Sequence, residues 1–229
     1  MGAGVESAKI RGAQERQPKF QKNRLRRANV WEVDVEQFEF VFALLSVMVG
    51  LGLTHILSAM GTAIHRLRGR GAPIKLDAIF LLWVGVMLTW LISAWWGEYK
   101  LQTIDFVWTF GAYLFFILYY ISLFLVIVIL VPSRLENVAD TYLHFMNGRA
   151  WFFGALLVAT ILDFFDTMMK GADWAFRPEY FISQSGLFVV VSIVGWIFKP
   201  RWVQITIAAA ALLSQLIYIW RSLNVLGSF

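Results

Sequence analysis

A chain of 229 residues with 59% apolar and only 15% charged side chains has too much apolar surface for a water-soluble fold of this size. Lys and Arg number 20 against 15 acidic residues, a net charge of +5, and there is no Cys, which excludes disulfide frameworks and thiolate metal centres. The composition therefore points to an all-α, polytopic membrane helix bundle, because lipid leaves no water to satisfy exposed backbone groups.

Residues 1–37 form a basic N-terminal tail that carries eight Lys and Arg. Its first 27 residues have little apolar content and are expected to be largely flexible. Arg24, Arg26 and Arg27 lie nearest the first apolar run. Each is a candidate for binding acidic lipid headgroups, worth about 1 kcal/mol near the surface. The same run also reads as a solvated topology signal. Nucleic acid is not an expected partner, since the run lacks regular aromatic interleaving.

Residues 38–229 form the membrane domain. A hydrocarbon core of about 30 Å needs about 20 apolar residues per helix. Six stretches qualify, at 38–60, 78–96, 107–131, 150–169, 180–198 and 202–220. The runs are continuous rather than alternating, which argues against a β-barrel. Between the third and fourth, Leu135, Val138, Tyr142, Phe145 and Met146 recur at helical spacing. That spacing predicts a short interfacial helix in residues 132–148, with Pro132 ending the span before it. Lys199-Pro200-Arg201 is a tight charged turn between the last two spans.

Six spans put both termini on one side. The short loops on the side of Arg66, Arg68 and Arg70 hold eight basic residues, and the opposite set, with the C-terminal tail, holds four. By the positive-inside rule this favours termini outside. Counting the basic tail reverses the balance, but tail residues far from a span weigh less.

Polar groups at depth are the candidate site. Asp163 and Asp166 lie three residues apart on one face of the fourth span, with Thr160, Thr167 and Lys170. Glu98, Asp105 and Glu39 fall at the same membrane side, with Lys100 and Lys170 as counter-charges. Two carboxylates close together in a low dielectric share a proton readily, which is the chemistry of a proton relay or small-cation site. Paired residues near the interface are the plainer reading. A Ca²⁺ site needs six or more oxygens that the sequence does not specify. His55 in the first span is a candidate buried polar residue. Pairing it with His144 as haem ligands is disfavoured, because His144 falls outside the predicted spans. In the last span Gln204, Ala208, Ala211 and Gln215 form one stripe, suited to packing within the chain, to a subunit interface or to a pore lining. Aromatics cluster at span ends, at Trp83, Trp95, Trp96, Trp108, Trp151 and Trp202, and interfacial belts account for most of them.

The stretch from the second to the fourth span, about half the chain, contains LLW at Leu81–Trp83, AWW at Ala94–Trp96, WTF at Trp108–Phe110 and RAWFF at Arg149–Phe153. In these it resembles a group of uncharacterised bacterial inner-membrane proteins with aromatic-rich spans. That resemblance implies a multi-pass protein of the cell inner membrane and brings no activity with it.

Nucleotide, zinc-protease and nucleophile-elbow motifs are all missing, so no enzyme, cofactor or metal is expected. Two function classes remain. One is a membrane subunit or scaffold that works by helix packing in a homo-oligomer or a larger complex. The other is a proton or small-cation channel or transporter that uses Asp163 and Asp166.

Overall fold

The computed structural model describes residues 18–104 and 106–223, with side chains from residue 37 onward. The chain divides into two compact units, 1–41 and 42–229. Helix α1, Pro18–Leu67, begins inside the basic tail. Its Pro start and its run of Gln, Lys, Arg and Leu suit a helix N-terminus and interior. The side chains of Arg24, Arg26 and Arg27 lie outside the described residues, as does Asp105.

Five more helices follow: α2 at Ala78–Gly97, α3 at Phe110–Leu130, α4 at Thr141–Lys170, α5 at Pro178–Ile197 and α6 at Arg201–Ser222. Among the described residues, six helices are long and apolar enough to cross a membrane. No strand forms there beyond an isolated bridge between Lys75 and Asp140. The protein is thus an all-α bundle with the multi-pass pattern expected from its sequence.

Local chemistry sets the boundaries. Gly69 and Gly71 take positive φ beyond the end of α1, which turns the chain away. Asp77, Thr109 and Asp140 cap α2, α3 and α4, their side-chain oxygens accepting from the first free backbone N–H groups. The separate interfacial helix expected across residues 132–148 does not form. A short 3-10 turn occupies Leu135–Asn137, and residues 141–148 are the first turns of α4. Once Asp140 caps the helix, nothing between Thr141 and the apolar run stops it, since a lone Gly148 weakens a helix without breaking it.

In the second unit, α2, α3, α4, α5 and α6 pack in a closed circuit, each against the next and α6 back on α2. Trp83 sits in its middle, fully buried and edge-on to Phe152 and Phe153 of α4. Trp83 is therefore a core residue and not one of the belt tryptophans that face outward. It lies about 9 Å into α2 at 1.5 Å per residue, deep enough to serve as core. Trp151 and Trp202 do face outward. Gly195 of α5 lies flat against the Phe153 ring, where a Cβ would overlap ring atoms. Gly52 lets α1 approach Leu91 of α2, since a Cβ there would fall 2.7 Å from its Cδ2.

The α6 stripe is spent inside this circuit. Gln204, Ala208, Ala211 and Gln215 are all buried. Gln204 Nε2 donates to the carbonyls of Gly195 and Phe198, and Gln215 Nε2 donates to Ser93 Oγ at 2.8 Å. The stripe is intrachain packing, not a subunit face. His55 is half-buried, with Nε2 2.8 Å from the Val131 carbonyl and its ring edge-on to Phe124. It is a hydrogen-bonded packing residue.

Candidate functional site

The two ends of the bundle differ in chemistry. At the end near Asp77, arginines hold backbone carbonyls and a carboxylate, although Gln204 Oε1 and His144 Nε2 have no partner there. Arg66 donates to four carbonyls, those of Ala72, Pro73, Leu135 and Val138, at 2.6–2.9 Å. Arg149 donates to the Gly195 and Phe198 carbonyls at the C-terminal end of α5, where a cation complements the helix dipole. Arg201 pairs with Asp77 at 2.5 Å and lies over the Tyr142 ring. Read from sequence, these arginines were only topology signals. Their role as carbonyl clamps depends on loops that close up in space.

The other end, about 30 Å along α2 from Asp77, gathers acids. Glu98 follows the last residue of α2, and Asp163, Asp166 and Lys170 share one face of α4. Lys170 Nζ lies 2.5 Å from Asp166 Oδ2 and 3.1 Å from Glu98 Oε2, and all three groups are buried. One ammonium therefore bridges two carboxylates. The α4 spacing of four residues brings Asp166 and Lys170 together, and the end of α2 supplies Glu98.

Asp163 is held differently. Its Oδ1 accepts from Tyr119 Oη at 2.5 Å and from Trp90 Nε1 at 3.3 Å, and its Oδ2 accepts from Tyr180 Oη at 2.7 Å. All three donors are uncharged. Among the described residues no basic group lies within ion-pair distance of Asp163. The adjacent Tyr119 and Tyr120 of α3 divide their hydroxyls, with Tyr120 donating to Glu98 Oε1 at 3.3 Å. Two of the three carboxyl groups thus share one ammonium, and the half-buried Asp163 has no cation among the described residues.

Asp163, Asp166, Lys170 and Trp90 line a cavity of about 40 Å³, room for about three water-sized occupants, while Glu98, Tyr119 and Tyr120 stand behind its wall. Gln215, Gln184, Trp174, Tyr180 and Tyr218 complete its wall. Several buried wall atoms lack a hydrogen-bond partner: Asp166 Oδ1, Gln215 Oε1 and Gln184 Nε2. Gln184 reaches the wall from a π-helical stretch at Phe181–Gly186 in α5, a local widening of the kind that recurs at functional sites.

The sequence anticipated Asp163, Asp166, Glu98 and Lys170, and the structure brings them together. Thr160 and Thr167 are also buried on α4, and Thr167 lines the cavity. Glu39 belongs to the first unit. The sequence reading missed Tyr119, Tyr120, Tyr180, Tyr218 and Trp90, whose aromatic character made them look like ordinary span residues. Among the described residues no group of three or more His, Asp or Glu is arranged to hold a metal ion. No protein-family model, curated protein or solved structure matches the chain.

Proposed function

We propose that this protein carries protons or small monovalent cations through its membrane domain, with Asp163 as the exchanging carboxylate. The observation that carries this reading is the cavity lined by Asp163 and Asp166, in which the Lys170 ammonium is committed to Asp166 and to Glu98 behind the wall, leaving Asp163 with uncharged donors alone. Uncompensated charge at depth is costly, so such a site recruits a proton or a cation. The half-buried Asp163 is the group placed to exchange one with the outside.

The layer of Trp83, Phe152 and Phe153 fills the bundle beyond the cavity, so the path is not an open pore. Passage then requires alternating exposure of the site, which favours a transporter over a channel. The π-helical stretch of α5 is the element suited to move, because it already departs from regular α hydrogen bonding beside the site. The inner-membrane location implied by the resemblance goes with this reading, as does the absence of any enzyme motif.

The test is proton or cation flux into proteoliposomes under an imposed gradient. Asp163→Asn should abolish flux while helicity and elution volume stay unchanged. Equal flux in parent and variant would end the proposal.

A second reading, a subunit or scaffold in an oligomer, is favoured by α1. Thr54 and Ser58 are exposed there, and Gly50 and Gly61 have open space where a side chain would sit. Small residues that face lipid suit close packing against another helix. Under this reading light scattering in mild detergent gives a defined oligomer, and Gly50→Leu dissociates it. A monomer in the parent would exclude it.

A further inference from the structure

We infer that the cavity beside Asp163 takes a small primary ammonium ion, of the size of ammonium or methylammonium. This deepens the transport reading and rests on it.

The wall chemistry selects that class. A bare proton needs no space, yet about 40 Å³ is left open beside Asp163. A hard metal ion calls for a cage of oxygens, and the described residues offer no such group of acidic or His ligands. An ammonium ion asks for something else: hydrogen-bond acceptors for its N–H groups, and negative charge or ring faces for the remainder of its surface.

Both are present. Asp166 Oδ1 and Gln215 Oε1 are buried acceptors with no partner, on two different helices that border the cavity. Asp166 and Gln215 are 3% and 1% exposed, so bulk water does not satisfy them. Their orphaned state is an observation separate from the clustering of acids and asks for an occupant that donates, while Gln184 Nε2, an orphaned donor of the same wall, asks for a water or another acceptor beside it. Asp163 supplies the negative charge that lacks a cation. Aromatic rings form much of the remaining wall: Trp174 lies 6.4 Å from Tyr180, and Tyr180 lies 6.0 Å from Tyr218, centroid to centroid. Rings tolerate a diffuse organic cation better than a small hard ion.

Size sets the upper limit. At about 10–15 Å³ per water-sized occupant, the cavity of about 40 Å³ admits about three or four non-hydrogen atoms. Methylammonium fits, and tetramethylammonium, with five, does not. Lys170 does not pre-empt the site, because its ammonium is already shared between Asp166 Oδ2 and Glu98 Oε2.

The experiment is equilibrium binding of radiolabelled methylammonium to the full chain in detergent, at fixed pH and ionic strength. Proton flux in proteoliposomes is measured on the same variants. Saturable binding is expected, displaced by ammonium and not by tetramethylammonium, sodium or potassium. Asp163→Asn should weaken it at least about tenfold, the size of a lost charge-assisted contact. Gln215→Leu should weaken it several-fold. If Gln215→Leu fails to fold, Ser93→Ala serves, since it removes the hydroxyl that orients Gln215. Binding that sodium or potassium displaces equally would overturn the inference, as would binding unchanged in Asp163→Asn. Proton flux that depends on Asp163, with no methylammonium bound, would leave a water-filled proton site: the inference fails and the transport reading stands. Absence of both binding and Asp163-dependent flux removes the two together.

Discussion

Replacing Lys170 by Met tests the electrostatic account most directly. The ammonium lies 2.5 Å from Asp166 and 3.1 Å from Glu98, and the side chains of all three are at most 4% exposed. With an effective dielectric of about 20, each contact is worth about 5–7 kcal/mol of gross attraction. Desolvating three ions offsets much of that. Deleting only the cation, however, leaves two buried carboxylates facing each other and Asp163 nearby, with nothing to compensate them. Breaking one partner out of a buried pair costs about 3–5 kcal/mol. Lys170→Met should therefore lower the folding equilibrium constant by about two to four powers of ten. The triple variant Glu98→Gln, Asp166→Asn, Lys170→Met strands no charge within the triad, leaving Asp163 with its own uncharged donors, and should recover most of the loss. Unfolding in a mild detergent, followed by tryptophan fluorescence, measures both. A single variant within about 1 kcal/mol of the parent, or a triple variant no better than the single, would refute the reasoning.

Arg66→Lys should destabilise the protein by about 2–3 kcal/mol, because a lysine cannot reproduce four donations to carbonyls from two loops. Hydrogen exchange should rise first in residues 72–75 and 135–141. Gly195→Ala should cost about 1–3 kcal/mol by forcing the Phe153 ring aside, whereas Gly50→Ala, with open space at its Cβ, should be neutral or stabilising in the same melt. Desolvation acts to raise the Asp140 carboxyl, but donations from the Leu143 and Tyr142 N–H groups and from Lys75 outweigh it, holding the carboxyl below its usual range. Its contribution is thus present above the unfolded carboxyl pKa of about 4 and is lost as pH falls through the lower folded value. The difference in melting temperature between the parent and Asp140→Ala should be flat from neutral pH to about 5 and vanish in stronger acid. A difference that persists there would show that Asp140 does not act through its charge.

Much of the architecture follows from local chemistry. Continuous apolar runs of about 20 residues leave a chain in lipid no choice but helices, and Asp77, Thr109 and Asp140 mark where three of them start. The i,i+3 and i,i+4 spacings of Asp163, Asp166 and Lys170 put them on one face before any packing is known. Tertiary structure decided the rest. Which carboxylate keeps a cation depends on Glu98 arriving from α2 to share Lys170, while the hydroxyls of α3 and α5 reach Asp163 instead. Whether Trp83 faces lipid or core, and whether the Gln204–Gln215 stripe meets its own chain or another, are questions of neighbours. Apolar periodicity is weak evidence on them, because lipid and protein interior are equally apolar, and a span's sequence hardly distinguishes the face it turns inward.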